Sequence, residues 1–352
     1  MPPHLPESAA ATRAELAACR ALLRSGSRTF YAASFLLPRR VREPASALYA
    51  FCRLADDAVD EPSAAADAIA RLRDRLYRAY DGRPLPIPAD RALAVVVARF
   101  ALPRALPEAL LEGFEWDAAG RRYETLEDLE AYGARVAGTV GAMMAVLMGA
   151  RGPYELARAC DLGVAMQFTN IARDVGEDAR AGRLYLPAQW LREAGIDPDA
   201  WLAAPAFSPA LGSVVKRLLD VADALYERAG AGIARLPLDC RPGIHAARLV
   251  YAEIGREVER RRLDSVSRRA VVPARRKVRL LAHALGAALL PARDVTPAPL
   301  GATRFLVEAA VLAQQDDRIA WWNLYARLVW VIHLFERLER LERLPRREQI
   351  ER

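Results

Sequence analysis

The chain has 352 residues, 53% of them apolar and 27% charged, with 51 Lys+Arg against 44 Asp+Glu and a net charge of +7. That apolar content excludes a disordered tail or scaffold and predicts a sizeable packed core in one or two domains. The positive balance points to a polyanionic partner (nucleic acid, membrane or phosphate), although all but two of the cations, Lys216 and Lys277, are arginine, a skew that GC-rich codon usage produces.

Residues 1–20 hold no basic region followed by an apolar run, because Glu7, Arg13 and Glu15 interrupt it, so no secretory signal is expected. Apolar residues then recur at spacings of three and four over 9–24, 41–60, 64–80, 126–149 and 154–178, which predicts amphipathic helices. Breakers separate them: Pro84, Pro86 and Pro88, then Gly152-Pro153, then Gly182 and Pro187. Further helices are predicted over 213–235, 242–262 and 274–290. Period-two runs of β-branched residues are nearly absent, so the expected fold is all-α, one large helical bundle.

Residues 291–300 read as a linker between a domain over 1–290 and a helical tail over 301–352, with helices near 304–313 and 318–343. The run 319–335 includes Trp321, Trp322, Trp330 and Phe335 but also Arg327 and His333. It suits either a helix packed on the bundle or a second subunit, or one lying in a membrane interface. No stretch of 18 uninterrupted apolar residues predicts a span. Cys19, Cys52, Cys160 and Cys240 form no C-x-x-C pair. A zinc ribbon or dithiol redox site is therefore not expected, and a reducing cytoplasm is.

Two acidic stripes carry the chemistry. In the run from Tyr49 to Glu61, Asp56 and Asp60 are i and i+4 on a helix, and Asp57 and Glu61 repeat that spacing. Like charges so placed destabilise a helix by roughly 0.2–0.5 kcal/mol per pair, and hard divalent ions bind such oxygen-rich clusters. Asn170, Asp174 and Asp178 form a second stripe, while Arg173 and Glu177 have the spacing to pair with each other. A solvated helix end explains either stripe alone. Two such stripes facing each other across a bundle would hold Mg²⁺ ions against diphosphate oxygens.

These residues resemble the squalene/phytoene synthase family. The match runs through Ser27-Arg-Thr-Phe30, Tyr49-Ala-Phe-Cys-Arg53, Asp56-Asp57-Ala-Val-Asp60 and the stretch 132–141, then from Gln167 through Asp178 and on to Gly182-Arg-Leu-Tyr185-Leu-Pro187. It covers about residues 15–290. The resemblance implies the isoprenoid-synthase bundle with a central substrate cavity, and head-to-head joining of two allylic diphosphates through a cyclopropylcarbinyl diphosphate. The chemistry requires holding the departing diphosphate, shielding an allylic cation from water and removing protons.

By the same resemblance, Asp56, Asp60, Asn170, Asp174 and Asp178 would ligate Mg²⁺, with Mn²⁺ as the substitute. Ser27, Thr29, Arg53, Gln167, Arg173 and Arg269 would meet diphosphate, and Tyr49, Tyr132, Tyr185 and Tyr251 would lie near the reacting carbons. Tyr49 and Tyr251 also suit ordinary core positions, and the basic stretch around Arg269 also suits a solvated or membrane-facing patch. Val136 to Gly141 would permit close helix approach, or line a prenyl channel.

The implied product is phytoene from two geranylgeranyl diphosphates. Alternatives are a squalene, dehydrosqualene or presqualene diphosphate synthase acting on farnesyl diphosphate, or a non-catalytic assembly homologue. No nicotinamide cofactor is expected: Gly230-Ala-Gly232 follows no strand and has Arg235 at the third glycine position. A di-iron bundle is disfavoured because no histidine stands three after a glutamate, and no nucleic-acid module is recognisable. The expected location is cytoplasmic, or peripheral on the inner face of the membrane through the tail. Oligomeric state stays open.

Overall fold

The computed structural model describes residues 11–59, 65–289 and 298–317, and every regular element among them is helical. The all-α expectation is met. Predicted residue 60 and helix 318–343 lie outside the described residues.

Helix α1 (Arg13–Gly26) opens with a capping box, in which Thr12 and Glu15 each accept the other's backbone N–H. Ser27 ends it and caps α2 (Arg28–Ser34), its Oγ accepting the Phe30 N–H at 3.2 Å. One serine thus sets a sharp corner between two helices. Then come α3 (Arg39–Val59), α4 (Ala65–Tyr80), α5 (Pro88–Phe100) and α6 (Ala105–Ala118). Periodicity does not reveal α5 and α6, because each is buried around much of its circumference and lacks a clean polar face.

The predicted helix over 126–149 is a rod in three parts: α7 (Leu126–Gly133), a π-helical turn over Ala134–Gly138, and α8 (Thr139–Leu147). It crosses α9 (Pro153–Arg180), the 28-residue axis of the bundle. A Cβ at Gly141 would collide with the Ala159 carbonyl, and one at Gly163 with the Ala137 carbonyl. The two backbones therefore touch through a glycine seam, which the 136–141 strip anticipates.

Beyond α9 the chain continues through α10 (Ala188–Glu193), α11 (Pro198–Ala203), α12 (Pro209–Ile233), α13 (Arg241–Arg260) and α14 (Ala274–Ala287). A 3₁₀ turn over Gly301–Thr303 leads into α15 (Arg304–Asp317). The main core gathers Phe168, Val164 and Val175 of α9 with Leu218 of α12 and Ile254 of α13.

One compact unit extends through Ala310. Thr303 and Leu306 are fully buried and pack on Gly138 in the π turn. Arg158 and Arg228 both donate to the Ala298 carbonyl while pairing with the fully buried Asp161. Removing one partner from such a buried cluster typically costs about 3–5 kcal/mol, and the cluster ties α12 to α9. Among the described residues no helix is long and apolar enough to cross a membrane.

Candidate active site

Two cavities adjoin at the centre of the bundle. The outer one, about 610 Å³, is lined by the α1–α2 corner (Ser27), α3 (Tyr49, Arg53), α9 (Gln167, Asn170, Arg173, Asp174, Asp178), Tyr185, Tyr251 of α13, and Arg269. The period of four places Asn170, Asp174 and Asp178 one above another on α9. Arg269 reaches them because the 264–272 loop lies directly on α9: the Gly176 N–H donates to the Ser265 carbonyl at 3.1 Å, and a Cβ at Gly176 would strike Val266. A glycine two residues after the key aspartate is what admits the arginine.

The charges are unevenly matched. Asp174 accepts from Arg269 Nε at 2.8 Å and Nη2 at 3.2 Å, and from Arg173 Nε at 2.7 Å. Burial pulls the Arg173 pKa down, but its bonds to Asp174 outweigh that and leave it raised. Asp178 is the opposite case, pushed up to about 7 by burial first and by Asp174 second, with Arg183 opposing. Burial likewise pushes the Tyr251 hydroxyl up to about 12, against the pull of Arg173. The site therefore holds one carboxylate paired with two arginines and one whose burial, against the pull of Arg183, favours its protonated form.

The inner cavity, about 320 Å³, is apolar and shares Phe30, Tyr49, Gln167, Asn170 and Tyr251 with the outer one. It follows α9 from Asn170 through Met166, Gly163 and Ala159 to Glu155, and the π turn and α8 supply Val136, Ala137 and Val140 to its wall. Fifteen residues at 1.5 Å rise make this path about 22 Å long. The 136–141 strip thus serves both readings open in the sequence, close helix approach and channel wall.

Most sequence-predicted residues converge here: Ser27, Tyr49, Arg53, Gln167, Asn170, Arg173, Asp174, Asp178, Tyr185, Tyr251 and Arg269. Asp60 lies outside the described residues, as do the side chains of Thr29 and Asp56. Tyr132 is not on either cavity wall. It is buried in a three-ring cluster, stacked on Tyr185 and tilted against Tyr123, and donates to Asp117 Oδ2 at 2.9 Å. Tyr185 donates to Asp117 Oδ1 at 2.8 Å. Asp117, at the end of α6, is the residue that sequence reasoning missed, since it stands alone in sequence and only the fold brings it beneath two tyrosines.

The family model described as squalene/phytoene synthase matches residues 23–276. The chain is 56% identical over 273 residues to a phytoene synthase of Rhodobacter capsulatus, covering 77% of this chain and 80% of the relative. It is 53% identical over 316 residues to that of Cereibacter sphaeroides, covering 86% and 89%. Among solved structures, a dehydrosqualene synthase superposes with a TM-score of 0.72 at 32% identity, covering 78% of this chain and 96% of that one. A squalene synthase of Alicyclobacillus acidocaldarius superposes with a TM-score of 0.67 at 27% identity, covering 73% and 97%.

Proposed function

From the premise that the chain belongs to the squalene/phytoene synthase family, we propose that it joins two geranylgeranyl diphosphates head to head, with Mg²⁺, to give phytoene and two diphosphates. It is a prenyltransferase of the phytoene synthase type, acting in carotenoid biosynthesis. The observation that carries the choice of substrate is the length of the inner cavity. Four carbon–carbon bonds of about 1.5 Å, laid out as a zigzag, give about 5 Å per isoprene unit. Four units match the path of about 22 Å along α9, whereas the three units of farnesyl diphosphate would leave its far end empty.

Asn170, Asp174 and Asp178 present only oxygen donors, and the buried, under-neutralised Asp178 is the kind of carboxylate that a hard cation satisfies. Among the described residues no three His, Cys, Asp or Glu side chains converge as a metal cluster, so the α9 stripe is half of the donor set, and Asp56 and Asp60 are proposed as the rest. Mg²⁺ held there would neutralise the leaving diphosphate. Ser27, Arg53, Gln167, Arg173 and Arg269 orient diphosphate oxygens, the arginines through their paired N–H groups. Phe30, Tyr49, Tyr185 and Tyr251 form the aromatic border that excludes water from the developing cation. Tyr185 keeps its proton in the bond to Asp117, so the base for the final deprotonation is the released diphosphate.

Purified protein incubated with Mg²⁺ and each prenyl diphosphate tests this reading. A C40 product from geranylgeranyl diphosphate, lost with chelator and restored by Mg²⁺, is expected. A C30 product with no C40 product would overturn it.

A further inference from the structure

Helix α14 is apolar on two sides. Inward, Ala284 and Leu281 pack with Ala33, Leu36, Ala246 and Leu249. Outward, Val278, Ala282, Leu285 and, in the turn that follows, Leu289 fall within one sector of about 60°. They are exposed there: Val278 by 65%, Leu285 by 52% and Leu289 by 80%. Beside this stripe stand two cations, Arg275 and Arg279, both exposed. The helix contains no acid, and among the described residues Arg275 and Arg279 have no ion-pair partner. Its N-terminal end meets the outer cavity, which Lys277 and the 59% exposed Val271 both line.

An exposed apolar stripe flanked by unpaired cations fits an anionic amphiphilic surface. A second copy fits it poorly, because a two-fold contact through this face would set the same arginines against each other. The chain's own 336–343 run fits no better, since its Glu336, Glu339 and Glu342 are matched by Arg337, Arg340 and Arg343 and leave no surplus negative charge. We propose that α14 is a membrane-docking helix: its Val278–Leu289 stripe enters the headgroup boundary of an anionic bilayer and its arginines meet lipid phosphates, so that the mouth of the outer cavity opens at the membrane surface. These residues are not those of the C-terminal tail, for which the sequence leaves open both packing on the bundle or a second subunit and contact with a membrane.

The test is co-sedimentation of the full chain with vesicles of phosphatidylcholine, with and without phosphatidylglycerol. Wild-type protein should bind the anionic vesicles and release them as salt rises. With each interfacial cation worth about five-fold in binding, Arg275→Gln/Arg279→Gln should weaken binding roughly 25-fold, and Val278→Glu/Leu285→Glu should abolish it. Both variants should keep wild-type helicity and elution volume, and wild-type turnover of substrate offered in detergent micelles. Unchanged binding by both variants overturns the proposal. So does binding that survives them but is lost in Trp321→Glu/Trp330→Glu, which would put the contact on the tail, or a shift from dimer to monomer, which would make the face a subunit interface. Vesicle binding is read without substrate, so its failure and a failure of the substrate assignment are separate results.

Discussion

Arg269→Gln should move two affinities in opposite directions. In the free protein Arg269 grips both oxygens of Asp174, at 2.8 and 3.2 Å, from a side chain that is 47% exposed, whereas Arg173, the other partner of Asp174, is 15% exposed. A divalent ion arriving at Asp174 has to displace the looser arginine. A half-exposed pair is worth at most about 1 kcal/mol, so removing the competitor should tighten Mg²⁺ binding by about five-fold. The same arginine is proposed to turn to the diphosphate, where a charge-assisted hydrogen bond contributes about 1.5–3 kcal/mol. Its loss should lower kcat/KM for geranylgeranyl diphosphate by about 10- to 150-fold. Calorimetric titration with MgCl₂ measures the first effect and steady-state kinetics the second, with circular dichroism as the check on folding. Weaker Mg²⁺ binding in the variant, or an unchanged kcat/KM, would refute the exchange of partners.

Five other substitutions test the remaining assignments. Asp174→Ala should abolish product formation while leaving helicity intact; loss of helicity would make the residue structural. Tyr132→Phe should cost about 1 kcal/mol of stability and keep most of kcat, and Asp117→Ala, which strands two tyrosine hydroxyls, should cost more in both; the reverse order would deny Asp117 its role in holding both hydroxyls. Gly163→Ala forces a methyl against the Ala137 carbonyl, so Tm should fall with a loss of about 1–3 kcal/mol, and an unchanged Tm would deny the backbone seam. Burial, with Arg248 and Arg241, holds His245 down at about 4 against an ordinary 6.5. A depressed folded-state pKa means that its stabilisation is complete above about pH 6.5 and drains away as pH falls toward 4. His245→Gln should flatten that part of the stability curve in urea melts, and an undiminished slope would assign the acid sensitivity elsewhere.

The long amphipathic helices were legible because one face of each meets the core, which is how 154–178 foreshadows Pro153–Arg180 and 274–290 foreshadows Ala274–Ala287. The α9 half of the site was legible for a related reason: a carboxylate every fourth residue is a local pattern on a single helix. The rest depends on long-range packing. Helix α6 hides its period by being buried on several sides, and Asp117 goes unseen with it. Tyr132 stands in a recognisable motif, but only the stacking of Tyr123, Tyr132 and Tyr185 reveals which ring faces the cavity. The π turn at Ala134–Gly138 was not read from the sequence, because a π-helical turn is set by which backbone carbonyl each N–H reaches rather than by a residue-type signature.

The collar of residues shared by the two cavities, with Asn170 and Gln167 beside Phe30, Tyr49 and Tyr251, bears on how a catalytic cycle ends. In the proposed complex a substrate is moored at both ends, by its diphosphate outside the collar and its chain within. The proposed product keeps only the chain. At about 0.8 kcal/mol per buried methylene, releasing forty carbons into water would cost on the order of 30 kcal/mol, far above any barrier that allows turnover. The hydrocarbon can therefore depart only into another oily medium touching the opening. Turnover then becomes a problem of solubility, and its pace is set by how readily an acceptor takes the product away.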